Sequence, residues 1–175
     1  NAHSARTIVQ TMNEIQRLTT AYIYGEDRIR VSGELAPNGA VVMWLIQLLL
    51  LRLLPHLFLW LESQSSDTIP VEIAQSFAQE AARSDLTPEP PVERHSDSKQ
   101  WLVSEVGVTP SQSSLALTFR SSSAQHTLLS LPTQALRQWL SVLQVLWVTA
   151  DWPSDIWPAW IGPPSDDNSH DIAVH

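Results

Sequence analysis

The side chains in this sequence best suited to chemistry by type and spacing are two tyrosines and two arginines in the stretch AYIYGEDRIRVSGEL. Tyr22 and Tyr24 precede Gly25-Glu26-Asp27, and Arg28 and Arg30 come after it, each pair spaced by two. Arg offers a planar, bidentate donor for a carboxylate or phosphate, and Tyr adds a flat amphipathic face. Together they suit an anionic ligand or the acidic segment of a partner. Arg120, at the end of SLALTFR, joins the group if its strand lies in the same sheet. The plainer account is cross-strand stacking on a solvated face, worth a few tenths of a kcal/mol per pair.

A second candidate is His56, four residues after Arg52 on the long apolar stretch VVMWLIQLLLLRLLPHLFLW, residues 41 to 60. On a helix the two share a face. A buried imidazole beside a cation is a setting that can tune a histidine for catalysis, although a helix-face histidine bonded to a neighbour is the commoner situation. The third candidate is the segment DWPSDIWPAWIGPP, where Trp152, Trp157 and Trp160 alternate with prolines. Proline interrupts a regular helix there, so the indoles are expected to anchor the segment to the body of the fold, with presentation to another protein as the alternative.

The remaining chemistries find little support. The five glycines form neither a phosphate-cradling loop nor a dinucleotide fingerprint. There is no His-Glu-x-x-His helix, and His95/Asp97 and His170/Asp171 lie in polar segments, so no metal site and no cofactor are expected. No strand-turn-helix elbow marks any serine as a nucleophile. Cysteine is absent, which removes disulfides and thiolate chemistry and agrees with a reducing compartment. A net charge of -8, with Lys99 as the single lysine, argues against nucleic acid. The acidic excess falls after residue 60.

The elements that must position these residues can be read from periodicity. Residues Ser4 to Leu18 carry Ile8, Met12, Ile15 and Leu18 at helical spacing, with a strand as the alternative. Gly25-Glu26-Asp27 can close a hairpin that pairs Tyr24 with Arg28 and Tyr22 with Arg30, placing Ala21, Ile23, Ile29 and Val31 on the buried side and the tyrosines and arginines opposite. After the turn APNGA, an apolar helix is expected to run to about Ser63, kinked at Pro55. A second, about 70 to 84, has Ile73, Phe77 and Ala81, with Ala74 and Ala78, as its core stripe. The segment 86 to 100 reads as a linker or exposed loop. WLVSEVGV, SLALTFR and HTLLSL read as three strands. Pro132 then opens a helix with Leu136, Trp139, Leu140, Leu143, Leu146 and Trp147 inward and Gln134, Arg137, Gln138, Ser141 and Gln144 outward.

The sum is one α+β domain spanning 1 to 175, with an antiparallel sheet of about five strands and three or four helices covering one face, and a strands-then-helix outline in both halves. Residues 1 to 85 form the first half and 101 to 150 the second. The acidic tail, 151 to 175, is expected to be disordered after about 163. On an insertion scale the leucines, at about -0.5 kcal/mol each, could offset Arg52 at about +3 kcal/mol, so a single membrane span is an alternative. The uncovered strands favour a soluble core helix instead. The functional expectation is a non-enzymatic binding or assembly protein, holding a protein partner or a second copy of itself as a homodimer through the Arg/Tyr face or the Trp/Pro tail. An enzyme with a dispersed site for an anionic small molecule is the runner-up. A cytoplasmic location is expected, although the chain opens Asn1-Ala2 without an initiator Met and a signal or anchor could precede it.

Overall fold

The computed structural model describes residues 13–36, 39–95 and 98–164. It is α+β, with two sheets and three helices. Strands β1 (Ile15–Ile23), β2 (Arg28–Leu35) and β3 (Ala40–Leu45) form an antiparallel meander, and β4 (Lys99–Leu102) adds to β3 in parallel. Helices α1 (Gln47–Ser63) and α2 (Val71–Ser84) come after β3. Strands β5 (Glu105–Pro110), β6 (Ser114–Arg120) and β7 (His126–Pro132) form a second antiparallel sheet, and α3 (Thr133–Thr149) succeeds β7. Three strands then an apolar helix therefore occur in each half.

Two sheets replace the single five-stranded one expected from sequence, for two local reasons. Val41 to Leu45 extend as β3 instead of starting the apolar helix, because β-branched and aromatic side chains favour a pleated surface. The run WLVSEVGV is divided at Val103-Ser104. There the Val103 amide donates to the Trp44 carbonyl at 2.9 Å and the Ser104 amide to the Arg120 carbonyl at 2.8 Å, so consecutive residues serve different sheets. Leu18, expected on a helix, lies in β1. On the far side the sheets touch at one parallel bridge, Glu14 to Leu128.

Leu50, Leu54, Leu57 and Leu61 of α1 and Leu136, Leu140, Leu146 and Trp147 of α3 pack with Ile29, Val31, Met43, Leu45, Leu115, Leu117 and Phe119 of the strands in one cluster. Gly33 is needed because the Ile15 side chain folds over it. A Cβ there would meet Ile15 at 2.9 Å. Pro55 lies inside α1 without ending it. The 17 residues of α1 span about 26 Å at about 1.5 Å each, short of the roughly 30 Å of a bilayer core. Among the described residues no helix is long and apolar enough to cross a membrane.

Two amphipathic expectations are reversed by one buried polar cluster. Helix α2 turns Gln75 and Gln79 inward and leaves Ile73 and Phe77 exposed, the opposite of the expected stripe. Helix α3 buries Arg137, Ser141 and Gln144 as well as its apolar stripe. The Arg137 guanidinium donates to Gln75 Oε1 at 2.6 Å and to Gln79 Oε1 at 3.4 Å. Gln79 Nε2 donates in return to the Arg137 carbonyl and to Ser141 Oγ, each at 2.9 Å. No described carboxylate lies in ion-pair range of Arg137, and burial lowers its pKa below the usual arginine value. A buried guanidinium must find acceptors, so the glutamine face of α2 wins the interior from its isoleucine and phenylalanine.

Candidate functional site

The hairpin register differs by one residue from the expected one. Ile23 pairs with Arg28, Tyr22 with Ile29 and Ala21 with Arg30. The turn is thus four residues, Tyr24 to Asp27, with Asp27 left-handed at φ 51°. A one-residue slip exchanges the faces. Tyr22 therefore shares the core side with Ile29, edge-on to Trp152 at 5.7 Å. Its hydroxyl donates to Asp27 Oδ1 at 2.6 Å, and the Trp152 indole donates to the same oxygen at 3.0 Å. Those two donors, Tyr22 first, hold the Asp27 carboxyl below its ordinary pKa. The carboxylate in turn pushes the Tyr22 hydroxyl up to about 12. Tyr24 sits in the turn, exposed.

Arg28 and Arg30 remain on the outer face, and the structure brings unexpected partners to them. Arg28 stacks over the Trp44 ring at 4.7 Å and pairs with Glu26 at 2.6 Å. Burial first, then the Arg94 guanidinium, pulls Arg30 below the usual arginine pKa. Arg17 adds a further cation on the same face, paired with Glu34 at 3.0 Å. Arg17 was missed because its segment reads as a helix; its alternation with Thr19 and Ala21 was the available signal. Arg120 belongs to the other sheet, lying against Gly107, and does not join this face.

Arg52 and His56 are both exposed on α1, so the buried setting that would single out His56 is not there. His170, Asp171 and Asp97 lie outside the described residues, as does most of the tail beyond 163. Among the described residues no group of three or more His, Asp or Glu is placed to hold a metal ion.

Trp152 and Trp160 are buried and Trp157 is half-buried. Trp147 meets Trp152 and Trp157 edge-on at 4.8 and 5.7 Å, and Phe58 meets Trp157 and Trp160 at 5.5 and 6.0 Å. The Trp160 indole donates to Glu62 Oε1 at 3.0 Å, and Trp147 to the Pro153 carbonyl at 2.8 Å. Arg83 adds a bond to the Pro163 carbonyl at 3.0 Å. The tail is strapped across the ends of α1 and α3.

A sizeable concavity lies elsewhere. Beyond the Glu14–Leu128 bridge, β1 and β7 run on in parallel and separate, leaving a cleft of about 630 Å³ between Ile15–Thr20 and Leu129–Pro132. Ala135, Gln138, Trp139 and Val142 of α3 form its floor, and the proline-rich segment Asp85–Pro91 its third wall. That segment, expected as a linker or exposed loop, is irregular and mostly exposed, and it is tied to the fold at two points. The Val92 amide donates to Thr19 Oγ1 at 2.8 Å, Val92 is buried, and Arg17 donates to the Pro90 carbonyl. The Trp139 indole donates to Thr20 Oγ1 at 3.0 Å, fixing floor to wall. Among the described residues no strand pairs with the outer edge of β1 or of β7 past that bridge. A cleft walled by two strand edges and floored by apolar side chains can take an extended chain by backbone pairing. Comparison of the chain with protein-family models, with curated proteins and with solved structures gives no match.

Proposed function

We propose that the chain is a non-enzymatic protein-binding module that receives an extended segment of a partner in the cleft between β1 and β7. The observation that carries this reading is the pair of parallel strand edges separating from the Glu14–Leu128 bridge. Backbone groups at a sheet edge accept a further strand, and the floor supplies apolar contacts for alternate side chains. The cleft volume of about 630 Å³ lies within the roughly 300–1,000 Å³ common for binding sites. The buried tail favours this cleft over the Trp/Pro segment as the place of contact.

The test is to select peptides by display against the whole chain and measure their affinity calorimetrically. Ala135, half-buried in the floor, is replaced by Trp to fill the cleft. Peptides with alternating apolar residues that bind the native chain and lose affinity at least tenfold for Ala135→Trp support the reading. Undiminished binding to that variant overturns it.

A second reading, an anionic ligand on the outer sheet face, is favoured by the approach of Arg94 to Arg30 and by the Arg28–Trp44 stack. Titration with inorganic phosphate and with a poly-glutamate peptide, compared between the native chain and Arg30→Gln, decides it. The chain is proposed to act as a soluble cytoplasmic protein, which fractionation of cells expressing it tests.

A further inference from the structure

The outer face of α2 is a second surface, separate from the cleft. Phe77 is 73% exposed and Ile73 49%, with Ile69 and Val71 at 48% and 44% at the start of the helix. Ile73 and Phe77 are four residues apart on α2 and share one face of it, while Ile69 precedes the helix, before Pro70 at its N-cap. Scattered exposed apolar residues need no explanation, but an aligned stripe containing a largely exposed Phe does. The stripe is a consequence of specific bonds: Gln75 and Gln79 are committed to Arg137 on the opposite side.

The charge around the stripe selects its occupant. Asp67, Glu72 and Glu80 are exposed beside it, and the Glu80 side chain is 70% exposed. Arg83, the one basic residue of α2, is turned inward to the carbonyls of Ile161 and Pro163 and also lies 3.7 Å from Glu80 Oε2, whose side chain stays largely exposed. At 100° per residue Glu80 and then Glu72 lie on one side of the Ile73–Phe77 line and alanines on the other, so the surface is apolar along its centre and acidic along one margin. A second copy fits poorly, because either helix orientation would bring Glu72 and Glu80 against like charges. Four half-exposed apolar side chains also offer on the order of 400 Å², about half of the roughly 800 Å² per partner in a stable interface. An anionic membrane surface meets the same acidic margin. An amphipathic helix with an apolar stripe and lysine or arginine on its flanks answers both the shape and the charge.

We propose that α2 docks a basic amphipathic helix of another protein through Ile73 and Phe77, with Glu72 and Glu80 along one margin pairing its cations. Two fluorescein-labelled peptides of about 18 residues test this, long enough to be helical. They share leucines at helical spacing and differ in carrying Lys or Glu on the flanks. The Lys-flanked peptide should bind the native chain at least tenfold more tightly than the Glu-flanked one. Phe77→Ser and Ile73→Ser, with unchanged melting temperatures, should each weaken it severalfold, and the double variant E72K/E80K should invert the preference. Ala135→Trp, which fills the cleft, should bind it as the native chain does.

Equal affinity for the two peptides, no binding of the Lys-flanked one, or indifference to Phe77→Ser overturns the proposal. So does either alternative occupant: a sedimenting dimer that Phe77→Ser dissociates, or pelleting with phosphatidylcholine–phosphatidylserine vesicles that Phe77→Ser abolishes.

Discussion

Arg137 Nη2 lies 2.6 Å from Gln75 Oε1, so a charged side chain of α3 is held by a neutral amide of α2. Removing the guanidinium leaves two buried amide oxygens without their donor and opens a void between the helices. Arg137→Ala should therefore cost about 2–4 kcal/mol in urea unfolding. The triple change Gln75→Leu, Gln79→Leu, Arg137→Leu should cost less than the single one, because it removes the polar groups together. A triple variant less stable than Arg137→Ala contradicts that account.

The two faces of α2 and α3 predict opposite tolerances. Leu140 is fully buried, and Leu140→Asp would enclose an unpaired carboxylate at several kcal/mol, against a total stability of about 5–15 kcal/mol. That variant should be unfolded by circular dichroism. Phe77→Asp should stay within about 0.5 kcal/mol of the native chain.

Two truncations distinguish the anchored part of the tail from the residues after Pro164. Ending the chain after Ala150 removes Trp152, Trp157 and Trp160 and should lower the melting temperature sharply, since single Trp→Ala changes at buried sites cost about 3–5 kcal/mol. Ending it after Pro164 should leave the melting temperature and the tryptophan emission maximum unchanged. Equal melting temperatures for the two truncations would show that the indoles do not stabilise the fold.

The Tyr22–Asp27 bond makes stability depend on pH in two ranges. Asp27 has a lowered value in the folded state, so its contribution is complete above about 3.9, the unfolded value, and disappears as pH falls through the folded one. Tyr22 is raised to about 12, so its contribution is complete below about 10 and disappears as pH rises through about 12. Asp27→Asn should melt below the native chain at pH 7, and the difference should vanish in acid. A difference that does not shrink as pH is lowered below about 3.9 would mean that the carboxylate is not the cause.

Regular elements with one dominant pattern were legible in the sequence. The stripe of α3, the boundaries of α2, the strands SLALTFR and HTLLSL and the buried indoles of Trp152 and Trp160 all stem from local periodicity or composition. The illegible features depend on partners distant in the chain. In the native hairpin register one Asp27 oxygen accepts from both Tyr22 and Trp152, the latter 125 residues away. The orientation of α2 is decided by Arg137, 62 residues beyond Gln75. The cleft is made by β1, β7 and the proline-rich wall together, and no single segment of it carries a pattern of its own. Of the arginine face, Arg28 and Arg30 could be read; Arg17 had a strand alternation that a helical reading passed over, and Arg94 carries no local pattern that would bring it near Arg30.

The bond from the Trp152 indole to Asp27 has a consequence for synthesis on the ribosome. The second donor to the turn of the β1–β2 hairpin is made 125 residues after Asp27. At about 5–20 residues per second, the nascent hairpin spends on the order of ten seconds with Tyr22 as the sole one of these two donors to Asp27. During translation the turn of the hairpin therefore waits for Trp152 before its Asp27 carboxylate has both of its donors.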